Sequence, residues 1–131
     1  MTTLEQASAE IILLHEQIET WFRGDAPPDA LNALVGCFAN VFQMVTIRGE
    51  RLERDDVRSL FARLGGARPG MVISIDQVAV IVEAPTGWLV TYRETQAAAD
   101  GTSNQRHSAA WLQPTNHGRP TWLFLQETAI P

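Results

Sequence analysis

The sequence predicts an α+β roll, in which leading helices pack in the concave face of a curved, mostly antiparallel sheet. Amphipathic helical patterns fill the first half of the chain, residues 71–130 carry four long strand patterns joined by short turns, and no helical pattern follows them. Short turns make neighbouring strands antiparallel, and a long helix that precedes such a sheet has to cover one of its faces. The predicted order is therefore helix, helix, strand, a brief second strand, helix and four strands, in one domain over residues 1–131.

The first helix is predicted over residues 4–23. A capping box fits its start, with either Thr2 and Glu5 or Thr3 and Gln6 as the pair. Gly24 ends it, and the prolines at 27 and 28 prevent the helix from continuing. At about 1.5 Å per residue, such a helix is long enough to cross a whole sheet. Its apolar stripe, at spacings of three and four, consists of Leu4, Ala7, Ile11, Leu14, Ile18 and Trp21.

Two further helices and two strands precede the main sheet. A helix is predicted over 29–39, with prolines at its first turn, where they are tolerated. The β-branched and aromatic residues of 40–47 predict a strand, and 51–53 has the length to pair back on it. A third amphipathic helix over 54–64 ends at a Gly-Gly pair.

The main sheet is predicted from strands at 71–84, 88–98, 103–113 and 121–130. A Pro-Thr-Gly sequence turns the first strand into the second, and Asp-Gly is a strong hairpin signal between the second and the third. A turn over 115–119 leads into the last strand.

Charge and cysteine content exclude several classes of protein. The net charge is −5 and the pI about 5.1, so the field of the protein repels nucleic acid and anionic membranes, and neither is an expected partner. Cys37 is the single cysteine, which rules out an intrachain disulfide. The N-terminus lacks a signal-peptide pattern, and no apolar stretch approaches the ~20 residues of a membrane span. We therefore expect a cytoplasmic protein.

Four segments, at residues 21–25, 34–40, 47–49 with 55–61, and 122–128, occur in an order and spacing that resemble a known family. The chain, over about residues 4–130, is similar to the nuclear transport factor 2-like superfamily, in particular its SnoaL-like, ketosteroid-isomerase-related branch of small bacterial proteins. The resemblance implies a cystatin-like α+β roll that encloses a cone-shaped pocket. Members include isomerases, dehydratases, cyclases, epoxide hydrolases and transport factors, so the fold alone does not give the function.

The chain departs from the acid–base scheme of the steroid-isomerase-like members. Those proteins use a carboxylate on the first strand as a proton shuttle and a second acid on a later strand. Here the first strand contains no acid, and Thr46 stands at the matching position, where its hydroxyl cannot take up a proton near neutral pH. No acid lies between 103 and 113 either, so we do not expect this scheme.

Glu94 and His107 form the best catalytic pair that the sequence offers. By analogy with the family, Glu94 faces the cavity, and His107 on the next strand reaches it across the hairpin. A carboxylate beside aromatic side chains acts as an acid or base when desolvation raises its pKa. The alternative is that both are partly solvated near the hairpin end, with Glu94 paired to Arg93 or Arg106.

The resemblance also predicts which side chains line the pocket. On the last strand it points Trp122 and the residues that alternate with it inward. Gln126 stands where many relatives carry histidine, and its amide either orients a ligand or bonds to neighbouring protein groups. The predicted pocket residues are Trp21, Phe42, Met44, Thr46, Tyr92, Trp111, Trp122, Phe124, Gln126 and Thr128.

No cofactor or metal site is predicted. His15 and Glu16 lie mid-helix without the second histidine of a zinc-protease pair, and three scattered histidines with one cysteine do not make a structural zinc site. We expect His117 to be a solvated turn residue. A cluster of arginines interleaves with acids, which indicates a solvated, salt-bridged helix face. These arginines are Arg48, Arg51, Arg54, Arg58, Arg63 and Arg68.

Three functional hypotheses follow. The first is a domain without a recognisable catalytic set that binds a small, apolar molecule and forms a homodimer, because strands that are apolar on both faces need cover on both. The second is a SnoaL-like isomerase, cyclase or hydrolase that uses Glu94 and His107. The third is a protein–protein interaction module, which predicts a cavity filled by the protein's own side chains. The volume of the cavity separates the first two from the third.

Overall fold

The structure is a computed structural model that describes residues 1–116 and 118–131. The expectation for His117 therefore lies outside the described residues. In the described part, the elements follow one another as α1 (Thr3–Arg23), α2 (Ala30–Val35), β1 (Phe38–Val45), β2 (Arg51–Glu53), α3 (Arg54–Leu64), β3 (Val72–Ala84), β4 (Gly87–Ala97), β5 (Ser103–Thr115) and β6 (Gly118–Ile130).

The strands form one sheet in the order β2-β1-β6-β5-β4-β3. β1 runs parallel to β6, and the other neighbouring strands are antiparallel. Helix α1 packs on the sheet through β3 and β6. The predicted α+β roll, a mixed and mostly antiparallel curved sheet with the leading helices in its concave face, is confirmed. In the described ranges, no helix combines the length and apolarity that a membrane crossing requires.

Helix α1 begins and ends as its sequence predicts. The Thr2 hydroxyl accepts a hydrogen bond from the Glu5 N–H at 3.1 Å, and the Glu5 carboxylate accepts one from the Thr2 N–H at 3.3 Å, so the first of the two possible capping boxes forms. Gly24 caps the other end at φ 83°, in the left-handed region that favours glycine. The buried face carries two titratable residues among its apolar ones. Its members are Ala7, Glu10, Ile11, Leu14, His15 and Phe22.

The second helix is shorter than predicted. It covers Ala30–Val35 instead of 29–39, and β1 covers Phe38–Val45 instead of 40–47. The first residue of β1 already pairs with Trp122 of β6, whose N–H donates to the carbonyl of the preceding residue at 3.0 Å. Pairing with a strand more than eighty residues away therefore extends β1 into a segment with helical periodicity.

A β-bulge in β6 changes which side chains face the helices. Trp122 is the register partner of Leu112, and Phe124 is the partner of Trp111, so Leu123 has no partner of its own. An extra residue reverses the alternation of side chains beyond it. Residues 125 and 127 of β6 therefore share the concave face with Trp122, whereas residues 124, 126 and 128 lie on the outer face.

The hydrophobic core lies between α1 and the concave face of the sheet. Trp122 is fully buried at its centre, and the rings of Phe38 and Phe42 meet with centroids 4.6 Å apart. The indole N–H of Trp122 donates to the carboxylate of Glu10 on α1 at 2.8 Å, and Arg119 donates to both oxygens of the same carboxylate at 2.7 and 3.0 Å. The buried Glu10 carboxylate is thus satisfied by three donors, and it ties α1 to the start of β6.

Candidate functional site

A cavity of about 660 Å³, which we call the cone cavity, opens between α3, the β1–β2 pair and the concave face near the β4–β5 hairpin. Apolar side chains line one part of its wall, and polar side chains, most of them charged, line the rest. Its apolar lining is Phe22, Met44, Ile47, Leu52, Leu60 and Leu64, and its polar lining is Thr46, Arg48, Glu50, Asp56, Ser59, Arg63, Arg68, Gln96, Arg106 and Glu127.

Of the predicted pocket residues, Met44 and Thr46 line the cone cavity. Two others, Trp21 and Phe42, belong to the packing: the Trp21 indole N–H donates to the Phe61 carbonyl at 2.7 Å, and Phe42 is buried in the core. Tyr92 and Trp122 are likewise buried without lining the cavity. The rest of the predicted set, on the outer face of the sheet, is Trp111, Phe124, Gln126 and Thr128.

The bulge at Leu123 explains the error on β6. The sequence pattern places Trp122 and Gln126 on one face, but the extra residue moves Gln126 outward and brings Glu127 into the cavity lining. The prediction of an inward Gln126 is therefore wrong. Single-residue bulges leave no mark in an alternating pattern, because both faces of this strand carry apolar residues.

The predicted pair of Glu94 and His107 does not form. In the β4–β5 register, His107 lies opposite Arg93 and Glu94 lies opposite Arg106, so the two side chains point to opposite faces of the sheet. His107 is exposed on the outer face, whereas Glu94 is buried on the inner one with 3% of its surface exposed. The two arginines expected as alternative partners of Glu94 form ion pairs elsewhere: Arg93 pairs with Asp76, and Arg106 pairs with Glu127.

Glu94 instead forms a buried ion pair with His15 of α1. The Nε2 atom of His15 lies 3.1 Å from Oε1 of Glu94, and its Nδ1 atom lies 2.7 Å from the carbonyl oxygen of Ile11. Both ring nitrogens face oxygen acceptors, so both carry protons when His15 is an imidazolium beside a Glu94 carboxylate. The geometry therefore favours a charged pair inside the protein.

The pKa values agree with this assignment. For Glu94, burial raises the pKa, but the His15 charge and the hydrogen bonds from His15 and Gln96 outweigh it and lower the pKa to about 2. For His15, burial lowers the pKa, but the Glu94 carboxylate and the Ile11 carbonyl bring it above its ordinary value. Each partner therefore favours the charged form of the other.

The ion pair is the inner end of a hydrogen-bonded chain that reaches the cone cavity. The second oxygen of Glu94 accepts a hydrogen bond from the Gln96 amide at 2.7 Å, and the Gln96 carbonyl oxygen accepts one from Nη1 of Arg68 at 3.1 Å. Gln96 and Arg68 line the cavity, whereas His15 and Glu94 do not. The buried pair therefore orients polar groups on the cavity wall and does not itself face a ligand.

A second polar cluster lies beside this chain. Arg106 pairs with Glu127 at 3.5 Å and donates to Asn104 at 2.8 Å, and both members of the pair line the cavity. Burial and the nearby Glu94 charge raise the pKa of Glu127. Tyr92 and Ser108, partners in the β4–β5 register, are buried with hydroxyls that lack a hydrogen-bond partner among the described residues. Burial, the largest influence, raises the pKa of Tyr92 well above its ordinary value.

The predicted salt-bridged helix face does not form. Arg54 donates to the Val35 carbonyl and Arg58 to the Asn32 side chain, at 3.3 and 2.9 Å. None of the six arginines in the cluster forms an ion pair with a described acid, and Arg48, Arg63 and Arg68 line the cone cavity. Ion pairs on a helix need partners three or four residues apart on the same helix, and Arg48, Arg51 and Arg68 lie outside α3.

One of the missed residues had a detectable signal. His15 lies four residues after Ile11 and three before Ile18, so it falls on the apolar stripe of α1, where a histidine needs a partner. Gln96 and Arg68 had no such signal, because their position depends on the packing of the loop before β3 against β4. Among residues 1–116 and 118–131, no group of three or more acidic, histidine or cysteine side chains is placed to hold a metal.

Comparison with known proteins places the chain in a family. No family model and no curated protein matches the sequence. The crystal structure of an NTF2-like protein of unknown function from Pseudomonas aeruginosa is 37% identical, with a TM-score of 0.92 over 96% of this chain and 99% of that one.

More distant structures share the fold alone. An NTF2-like protein from Cytophaga hutchinsonii is 10% identical with a TM-score of 0.70, over 99% of this chain and 100% of that one. A protein of unknown function with a cystatin-like fold from Nostoc punctiforme is 12% identical with a TM-score of 0.70, over 100% and 95%. The SnoaL-like branch stays a prediction. Identity of 37% over nearly the whole of both chains shows that this protein belongs to the NTF2-like family.

Proposed function

We propose that this domain binds a small molecule in the cone cavity. The observation that carries the proposal is the cavity itself: about 660 Å³ stay open beside a complete hydrophobic core. Small-molecule sites typically enclose about 300–1,000 Å³, with apolar walls and a few fixed polar groups. Here Leu52, Leu60 and Leu64 suit an apolar body, and Gln96 with Arg68 supplies fixed polar groups.

Proton-transfer catalysis has weaker support than binding. A general base works best with a pKa near the operating pH, but the pKa of Glu94 is about 2. Both nitrogens of its partner His15 are occupied, and neither side chain lines the cavity. An enzyme that uses Glu94 would first have to open this pair.

The interaction-module hypothesis predicted a cavity filled by the protein's own side chains. The open volume of the cone cavity argues against that reading. The polar groups on its wall add to this, because Gln96 and Arg68 are hydrogen-bonded to each other at a concave site and not on a flat surface.

Filling the cavity is expected to abolish ligand binding. Ser59 is exposed on α3 and lines the cone cavity, so Ser59→Trp places an indole inside it. We expect binding of the uncharged fluorescent probe N-phenyl-1-naphthylamine to weaken by about tenfold or more, because an indole-sized group removes most of the apolar contact area. The measurement is a fluorescence titration.

Ala62→Trp is the matched control, because Ala62 is exposed on the same helix without lining the cavity. This variant is expected to bind the probe as the wild type does. Equal binding by both variants would place the probe elsewhere and contradict the proposal. Native mass spectrometry of the purified protein adds an independent test, since a co-purifying small molecule should be present in wild type and lost in Ser59→Trp.

We also propose a homodimer formed through the outer face of the sheet. Trp111 and Phe124 are neighbours on this face, and Ile81 and Val82 of β3 are 57% and 44% exposed. Contiguous apolar surface of this kind typically marks an interface. We expect the partner to be a second copy of the chain, because the outer face carries few charged residues that a different protein could recognise.

The dimer is expected to dissociate when a charge is placed on the outer face. Gln126 is exposed beside Phe124, and Gln126→Arg brings like charges together across a two-fold axis. Size-exclusion chromatography with light scattering should give twice the 14.5 kDa chain mass for wild type and for Ala62→Arg, and a shift toward monomer for Gln126→Arg. A wild-type monomer at micromolar concentration would refute the homodimer.

A further inference from the structure

We propose that the ligand of the cone cavity is an amphipathic carboxylate, whose acid group binds Arg68 with Arg63 and Arg48 close by. This inference rests on the proposed function and specifies the chemical class of its ligand. It departs from the purely apolar molecule that the sequence predicts.

The charge around the cavity is opposite to that of the protein. Four arginines and three acids line the cavity, which leaves one net positive charge there, whereas the whole chain carries −5. Arg48, Arg63 and Arg68 are exposed at the cavity, so their summed field attracts anions to its mouth. A monoanion balances this charge, and a neutral or cationic ligand does not.

Most of the acids in the lining are already occupied. The Asp56 carboxylate accepts the Glu53 N–H in the cap of α3 at 2.8 Å, and Glu127 pairs with Arg106 at 3.5 Å. The guanidinium groups of Arg48 and Arg63, by contrast, make no hydrogen bond or ion pair with a described residue. The unmatched groups on the cavity wall are therefore mainly cations, which an incoming anion can satisfy.

Arg68 is the best positioned of these cations. Its Nη1 atom is held by Gln96, and its guanidinium lies 5.8 Å from the centroid of the Phe22 ring, within cation–π range. The hydrogen-bonded series from His15 through Glu94 fixes the Gln96 side chain, whose carbonyl oxygen accepts the hydrogen bond from Arg68. The remaining N–H donors form a rigid fork that matches a carboxylate, and the ring of Phe22 leaves apolar surface beside it.

A matched set of probes tests the inference. We would titrate the protein with octanoate, 1-octanol and octylammonium by isothermal calorimetry at low salt. Octanoate is expected to bind about ten- to hundredfold more tightly than 1-octanol, as charge-assisted hydrogen bonds allow, and octylammonium is expected to bind more weakly than both. Arg68→Gln should remove this preference for octanoate and leave 1-octanol binding unchanged.

Two further variants make the test independent of folding effects. Arg63→Gln removes a cavity charge without breaking an observed contact, so it should weaken octanoate selectively. Arg58→Gln removes a charge from the same helix outside the cavity and should change neither affinity. Equal affinity for octanoate and 1-octanol overturns the carboxylate inference while the binding role stands. If neither octanoate nor 1-octanol binds the wild-type protein, the carboxylate inference is also overturned. If the wild-type protein does not bind N-phenyl-1-naphthylamine either, the proposed binding function is overturned too.

Discussion

His15→Ala is expected to lower the free energy of unfolding by about 3–5 kcal/mol, because it leaves the Glu94 carboxylate buried without a counter-charge. Only 3% of the surface of Glu94 is exposed, so water cannot replace the imidazolium. The remaining donor, Gln96, is a neutral amide and supplies one hydrogen bond. Urea unfolding near pH 6, followed by circular dichroism, measures the loss.

Two comparisons separate the ion pair from the packing of the helix. Glu16→Ala changes the neighbouring residue, which is exposed, and should alter stability by no more than about 0.5 kcal/mol. In His15→Ala/Glu94→Gln no buried charge remains, so part of the stability should return. If the double variant is less stable by the full sum of the single changes, the two residues are not coupled and the assignment of a buried ion pair fails.

The same pair gives stability a specific pH dependence. The pKa of Glu94 falls on folding from about 4.5 to about 2, so its contribution is complete above pH 4.5 and is lost as the pH falls toward 2. The pKa of His15 rises above 6.5, so its contribution is complete below pH 6.5 and is lost as the pH rises through the folded-state value. The stability difference between wild type and His15→Ala should therefore be greatest between pH 4.5 and 6.5. Glu127, whose pKa is raised, acts in the opposite direction but is present in both proteins.

Trp122→Ala is expected to cost about 3–5 kcal/mol, because it opens a cavity at the centre of the core. The Trp122 side chain is fully buried, and its ring packs against Phe38 and Tyr92 with centroids 6.5 and 6.4 Å away. The substitution also removes a donor to the Glu10 carboxylate. Equilibrium unfolding in urea is the measurement, and the loss should be present across the pH range, unlike that of His15→Ala.

Trp122→Phe separates the two contributions of the indole. It keeps most of the ring volume and removes the N–H donor, while Arg119 still binds both oxygens of Glu10. We expect a loss of about 1–3 kcal/mol, the cost of one hydrogen bond to a buried charged group. If Phe is as damaging as Ala at this position, the hydrogen bond to Glu10 and not the packing dominates.

The stripe and capping box of α1, the glycine that ends it, and the long strands joined by short turns follow from local patterns in the sequence. Each of these features depends on residues a few positions apart, so the fold could be predicted from sequence alone. The boundaries of α2 and β1 could not, because the pairing of Phe38 with Trp122 is a contact between distant segments.

The candidate site depends on contacts between segments that are distant in the sequence. Of the predicted pocket residues, Met44 near the end of β1 and Thr46 just after it line the cone cavity. The sequence pattern misplaced Gln126 because the bulge at Leu123 shifts the register, and it paired Glu94 with His107 because proximity along a hairpin does not determine the face on which a side chain lies.

The sequence by itself determined the order of the elements and the α+β roll. Only the tertiary structure decided which groups meet: His15 with Glu94, Gln96 with Arg68, and Arg48, Arg63 and Arg68 around one cavity. The physical reason is the range of the interactions. Helix periodicity, caps and turns act within a few residues, whereas a buried charge finds its partner through the packing of a helix on a sheet whose bulges set the register.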